Sequence, residues 1–426
     1  MINKQNAPEK LAILGGEKTI TDEKPHFYWP PIDKKVEEAV LNQLRNGFFI
    51  HERSGIVKEF EDAFGKYISR KHAVIFSSGT LAIRAMFEAA GFTAGDEVIC
   101  PSYSFFGTVT PLLHTGAIPV LCDVDENGNI DPKEIEKKIT SRTKGVVVTH
   151  MWGVPCKMDE IVKICKDHNL LLLEDCSHTH GAKYKGKMVG SFGDLAAWSL
   201  GSDKLVTGGE GGMFATNNDE FLYRALLFGH YAGPCREAIP KDHKLHKYET
   251  TGTGLKFRAS TLAVAVAYEM FKRLENHLER RRMLAGRLVE ALRDESGIIL
   301  PPAVFDSTIE PSWYAFAFQY NTKALENLSI EKFVEALRAE GLSGIDMHLR
   351  SKCPLNLLPI FQTPEELFSI YKKQPFSYKP GDFPKAETLY RNMITMHIGA
   401  PKDDVRLVDL YIRGIKKVLR NFSQLL

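Results

Sequence analysis

The sequence predicts an α/β fold, in which a large domain built on a mostly parallel sheet is followed by a smaller C-terminal α+β domain. Three observations lead there. Short, continuous apolar runs recur at Ala73-Val-Ile-Phe76, Glu97-Val-Ile-Cys100, Ala117-Ile-Pro-Val-Leu121, Gly145-Val-Val-Val148 and Leu170-Leu-Leu-Leu173. Helical patterns separate several of them, at Thr80 to Ala90, Pro132–Lys138 and Met158–His168. Strands apolar on both faces and alternating with helices are the mark of a sheet covered on each side, an α/β/α sandwich. The third observation is a change of texture after residue 260. Leu262 to Arg293 reads as one long helix, with Leu274, Leu278, Leu284 and Leu288 on one stripe and a solvated run of Glu275, Glu279, Arg280 and Arg282 on the other. Shorter mixed elements follow, a strand at Tyr314–Tyr320 and helices at Ile330–Glu340 and Asp404–Leu419. The expected division is an N-terminal arm over 1–34, a large domain over 35–275 and a small one over 276–426.

A chain of 426 residues is comfortable as two domains. Lys plus Arg (55) nearly balance Asp plus Glu (53), for a formal charge of +2, so nucleic acid and anionic membrane are not expected partners. The first ten residues are polar, unlike a signal peptide, and no apolar run approaches a membrane span. Cysteines at 100, 122, 156, 165, 176, 235 and 353 are odd in number and never spaced as CxxC. Buried reduced thiols in a cytoplasmic protein are expected, with no metal site.

Three segments carry chemistry. Ser77-Ser-Gly-Thr80 stands between a strand and a helix, where unpaired N–H groups and the positive dipole end receive phosphate and Gly79 allows close approach. Alone it is also an ordinary N-cap. In Leu173-Glu-Asp-Cys-Ser-His-Thr-His-Gly181 an apolar strand ends in Asp175, at the edge where open α/β sheets bind ligands. His178 and His180 follow without a zinc-ligand pattern, and His180 suits a core position. The third is Lys204, in the small-residue segment from Trp198 to Gly212 that ends Gly-Gly-Glu-Gly-Gly. Phosphate at a helix start, a carboxylate at a strand end and a lysine on a loop are together what pyridoxal 5′-phosphate (PLP) requires. Lysine holds its aldehyde as a Schiff base, the carboxylate keeps its ring nitrogen protonated, and the helix end binds its phosphate.

The same residues carry a resemblance. In order along the chain, Leu11-Ala-Ile-Leu-Gly-Gly16, Ser78-Gly-Thr80, Gly95-Asp-Glu-Val98, Pro101-Ser-Tyr-Ser-Phe105, Gly116-Ala-Ile-Pro119, Asp131-Pro132, Glu174-Asp175, His180-Gly-Ala182, Gly190-Ser-Phe-Gly-Asp194 and Gly209-Glu-Gly-Gly212 resemble the DegT/DnrJ/EryC1/StrS sugar aminotransferases. The resemblance implies the aspartate-aminotransferase architecture, PLP-dependent transferase fold type I, and a homodimer. It implies Lys204 as the Schiff-base lysine and Asp175 as the partner of the pyridine nitrogen. Phe105 takes the position that stacks on the cofactor ring, and His178 one where the family has Gln or His. Gly79, Thr80 and Ser199 match phosphate binders. A further phosphate ligand comes from the neighbouring subunit as Asn in a Gly-x-Asn-x-Arg stretch. Here that stretch is Gly254-Leu-Lys-Phe-Arg258, and Lys256 stands in the Asn position.

The implied reaction moves an amino group from glutamate or glutamine to a small-molecule keto-sugar or keto-cyclitol. Leu205 after the lysine, the early Ala-Ile-Leu-Gly-Gly and Gly-Leu-Lys-Phe-Arg are similar to members acting on keto-cyclitols such as scyllo-inosose and to aminohydroxybenzoate synthases. They favour a small polyol-like ketone over a nucleotide-linked sugar. Asn356 stands where relatives have His, so second-domain substrate contacts are expected to differ. Two alternatives remain. A PLP-dependent sugar dehydratase of this fold replaces the lysine by His, against Lys204; a non-catalytic PLP-binding regulator has no need of the complete set.

Overall fold

The computed structural model describes residues 9–21, 29–47, 53–347, 349–399 and 405–426. The first eight residues, part of the expected N-terminal arm, lie outside these, as does Asp404, the expected first residue of the last helix.

Seven strands form the large sheet: β1 (His72–Phe76), β2 (Glu97–Pro101), β3 (Ile118–Cys122), β4 (Thr143–Thr149), β5 (Leu171–Asp175), β6 (Leu195–Ser199) and β7 (Gly212–Thr216). Their order is β1-β7-β6-β5-β4-β2-β3. All pairs are parallel except those of β7, which runs antiparallel to both β1 and β6. Because β7 reverses twice, β1, β5 and β6 point the same way and their carboxyl ends share one edge.

The apolar runs split by alternation between two faces. Val98 and Cys100 pack with Ala82, Ile83 and Met86 of the helix Gly79–Ala90. Ile99 and Val146 turn to Ile161, Ile164 and Cys165 of the helix Met158–Asp167. This is the expected α/β/α sandwich. All seven cysteines are buried and free. β7 has no separate signal in the sequence because it opens on Gly212, the last residue of the glycine-rich turn.

A second, antiparallel sheet has the order β8-β9-β11-β10, from β8 (Ile298–Ile299), β9 (Phe316–Tyr320), β10 (Ile345–Met347) and β11 (Met393–Met396). Helices Ile330–Ala339 and Val405–Arg420 cover it through Phe333, Leu337, Tyr411 and Ile415. Leu11 and Ile20 of the N-terminal arm join this core. The Glu340 carboxylate accepts from the N–H groups of Ala12 (2.8 Å) and Thr19 (3.0 Å). Among the described residues no helix is long and apolar enough to cross a membrane.

Three expectations need correction. The single helix over Leu262–Arg293 is two, Thr261–Phe271 and Leu274–Leu292. The turn between them stays close to helical torsions (Lys272 φ −58°, ψ −19°; Arg273 φ −108°, ψ 3°), so the apolar stripe passes through nearly in phase and hides the break. The strand expected from Tyr314 starts at Phe316, because Trp313 takes a left-handed conformation (φ 55°) that turns Tyr314 out of the sheet. Arg282 is not on a solvated face: it is half-buried and donates to the carbonyls of Gly181 (3.0 Å) and Pro311 (3.3 Å).

Beneath the sheet edge, Glu174 stitches a loop to β5. Its carboxylate accepts from the N–H groups of Gly190 (2.7 Å), Phe192 (2.8 Å) and Gly193 (2.6 Å). Arg70 lies 3.7 Å away and donates to the Gly190 and Gly193 carbonyls. Burial works against ionisation of Glu174, but His150, Arg70 and the Gly193 N–H hold its pKa below the ordinary value. Truncation strands a buried guanidinium and three N–H donors at once. Glu174→Ala is expected to cost about 3 kcal/mol of stability, read from the urea midpoint.

Candidate active site

The carboxyl ends of β1, β5 and β6 open into a cavity of about 330 Å³. Its walls include Gly79, Thr80, Phe105, Asp175, His178, Ser199 and Lys204, so seven of the eight residues expected from sequence meet in one place. Lys256 is exposed and lies outside the lining.

At one end, Ser78 caps the helix Gly79–Ala90, its hydroxyl accepting from Leu81 N–H at 3.2 Å. Gly79 faces β6 so closely that an added Cβ would lie 2.6 Å from Ser199 Cβ. Ser199 Oγ accepts from Gly201 N–H at 3.2 Å, and Ser177 Oγ accepts from Ser199 N–H at 3.1 Å. The result is a helix N-terminus ringed by small hydroxyl side chains, a seat for a phosphate group. Gly79→Ala must push β6 away, and we expect it to weaken cofactor affinity at least tenfold. Equilibrium dialysis against PLP measures this.

Asp175 ends β5 with both oxygens engaged. Thr108 Oγ1 donates to Oδ2 at 2.6 Å, and Ser177 N–H donates to Oδ1 at 3.0 Å. Ser104 Oγ sits 2.5 Å behind Thr108 Oγ1, which holds the threonine in place. Phe105 leans over the cavity beside Phe106, ring centres 4.3 Å apart. Gly107 leaves room for it, since a Cβ there would lie 2.5 Å from Phe105 Cε1.

Lys204 is 8% exposed, and its Nζ lies 3.3 Å from Asp203 Oδ1. Burial lowers its pKa, while Asp203 and Asp175 oppose the shift. The side chain lies over the Tyr314 ring, 4.4 Å from its centre. Tyr314 stacks nearly parallel on His178 (4.0 Å, 5°) and donates to Asp203 Oδ2. Burial, Lys204 and Lys352 push the His178 pKa well below its ordinary value; burial and Lys204 push that of His180 to about 3. Both imidazoles are therefore neutral near pH 7. Trp29, from the N-terminal arm, donates Nε1–H to the Lys204 carbonyl at 2.9 Å.

Sequence reasoning missed Asp203, Tyr314, Lys352, Thr108 and Trp29. Asp203 adjoins the lysine and was legible; the others come from distant segments without a local motif. Two residues singled out from sequence do not reach the cavity. Leu205 is fully buried in the core with Phe60 and Trp198. Asn356 is buried, its amide donating to the Lys379 carbonyl and Glu387 Oε1, both at 2.8 Å.

The donors, the carboxylate and the buried amine match PLP group by group, and the glycine cradle at 79 fits its phosphate end. Fold and site thus define a PLP-dependent transferase of fold type I. The chain belongs to the DegT/DnrJ/EryC1/StrS aminotransferase family, whose sequence profile matches residues 30–406. It is 32% identical to the spore coat polysaccharide biosynthesis protein SpsC of Bacillus subtilis, over 91% of this chain and 96% of that protein. It is 30% identical to an L-glutamine:2-deoxy-scyllo-inosose aminotransferase of Streptoalloteichus tenebrarius, over 98% and 99%. The aminotransferase from Psychrobacter cryohalolentis superposes with a TM-score of 0.81 at 25% identity, covering 94% of this chain and 99% of that one.

Proposed function

We propose that the protein transfers an amino group from glutamate or glutamine to a keto-cyclitol or keto-sugar in amino-sugar or aminocyclitol biosynthesis, acting as a cytoplasmic homodimer. The observation that carries the reading is a buried Lys204 sharing one cavity with Asp175 and the capped helix start at Ser78-Gly-Thr80. The relatives named above support the substrate class, since polysaccharide assembly and inosose amination both consume polyol-like molecules.

In this reading Gly79, Thr80 and Ser199 bind the cofactor's phosphate, and Phe105 and His178 flank its ring. Asp175 holds the proton on the ring nitrogen. When bound, the cofactor supplies the electron sink that makes the donor's Cα–H acidic. Lys204 Nζ takes that proton and later returns one to the carbon of the acceptor. Its burial favours the neutral amine required of a base. Lys256, exposed on this chain, serves the partner's phosphate site.

Half-reaction spectroscopy tests the proposal. Glutamate or glutamine should convert the chromophore of the loaded enzyme to the amine form, and a keto-cyclitol or keto-sugar should restore it. A dehydratase or a regulator need not turn over in this way, and neither leaves an amine on the acceptor. Failure of every keto-cyclitol and keto-sugar, free or nucleotide-linked, to restore the chromophore would overturn the substrate class, and sedimentation of an active monomer would remove Lys256 from the site.

A further inference from the structure

A second lysine enters the cavity from the far side of the chain. Lys352 follows a short turn after β10 and lines the same walls as Lys204 and Asp175. Its ammonium donates to Tyr314 Oη at 2.9 Å and sits 4.8 Å from the Tyr314 ring centre and 5.3 Å from that of Trp152. Among the described residues no carboxylate oxygen lies within 4.0 Å of it. A desolvated ammonium with three donors, one of them on Tyr314, and no carboxylate in contact among the described residues is poised for an anion.

The inventory of the cavity narrows the anion. Among its described lining residues the lysines are Lys204 and Lys352, and the carboxylates are Asp175, Asp203 and Glu210. Lys204 is committed to the cofactor, and the phosphate seat lies at the helix start beside Gly79. A substrate carboxylate entering next to Lys204 therefore meets three acids and one uncommitted cation. The two lysines share the Tyr314 ring, so an anion on Lys352 lies near the carbon from which Lys204 takes its proton.

We propose that Lys352 is the specificity residue that binds the α-carboxylate of the amino donor. The inference rests on the aminotransferase reading and names the ligand group of its first half-reaction. Tyr314 keeps the ammonium at the cavity wall, its hydroxyl accepting a hydrogen bond from Lys352 Nζ while donating one to Asp203. Burial lowers the Lys352 pKa to about 8, so the cationic form still predominates at pH 7. A neutral ketone lacks the group Lys352 recognises and does not depend on it.

The test uses the PLP-loaded enzyme with Lys352→Met and Lys352→Arg, and reads binding as well as turnover. 2-Methylglutamate has no Cα–H to lose, so its spectral titration isolates binding. Lys352→Met is expected to weaken it by on the order of 10- to 100-fold, and to raise the concentration of glutamate and of 2-oxoglutarate needed for half-maximal rate by a like factor. 4-Aminobutanoate, the donor without its α-carboxylate, should bind equally to parent and variant. The half-reaction of the amine form with a neutral keto-cyclitol should stay within twofold, and Lys352→Arg should recover most of the affinity. Equal losses in the carboxylate and neutral arms would make Lys352 a support for Lys204 and overturn the proposal, as would unchanged 2-methylglutamate binding. If the parent enzyme itself fails to react with any amino acid, it is the aminotransferase reading that falls.

Discussion

Lys204→Ala is expected to abolish the borohydride-reducible visible chromophore and to lower turnover by on the order of 10,000-fold. In the proposed role two losses combine, since the same amine would anchor the cofactor covalently and move the proton at Cα. The fold should survive the change. Lys204 Nζ is a buried amine whose partner at 3.3 Å, Asp203, retains the Tyr314 hydroxyl as a donor. Far-UV circular dichroism and the urea midpoint should therefore match the parent within about 1 kcal/mol. Retention of the chromophore in the purified variant would show that the lysine has been assigned wrongly. An added primary amine should restore a fraction of the proton transfer, as expected when only the base has been removed.

Asp175→Asn is the second large effect, expected on the order of 1,000-fold in single-turnover rate with the amino donor. The substitution preserves size and most of the hydrogen bonding. Ser177 N–H can still donate to the amide oxygen, and the Thr108 hydroxyl, backed by Ser104, can turn to accept from the new NH2. What disappears is the charge that, in the proposed role, keeps a proton on the cofactor's ring nitrogen. Catalysis should thus fall much further than PLP affinity, which the proposed phosphate seat at Gly79, Thr80 and Ser199 would maintain. A variant within tenfold of the parent would remove Asp175 from the electron-sink role.

Asp175 and the Gly79–Thr80 helix start were legible because their signals are local. Asp175 ends an apolar run, and in a parallel sheet such an end is a carboxyl edge. Gly79 and Thr80 follow a short strand and open a helix, a pattern that a phosphate seat requires. Lys204 acquired meaning only beside the other two. Leu205 shows the opposite case: it suggested a substrate preference in the sequence, yet the chain buries it in the core beneath the cavity, with Phe60 and Trp198. Neighbourhood in sequence placed it beside the catalytic lysine, but packing directs the side chain inward. Asn356 departs in the same manner, serving the Lys379 carbonyl and Glu387 rather than a ligand.

The sequence by itself determined the sandwiched parallel sheet, the strand-end carboxylate, the capped helix start and the loop lysine, because periodicity and capping act over a few residues. Tertiary structure alone decided the far wall of the cavity. Tyr314 meets Asp203 across 111 positions and Lys352 across 38, and it faces them because Trp313 adopts a left-handed conformation that no glycine announces. Contacts of that kind depend on how the second sheet packs against the first, a global outcome to which every buried residue of both cores contributes. Lys352, the proposed carboxylate ligand, is therefore silent in the sequence and takes its place in the cavity only in the folded chain.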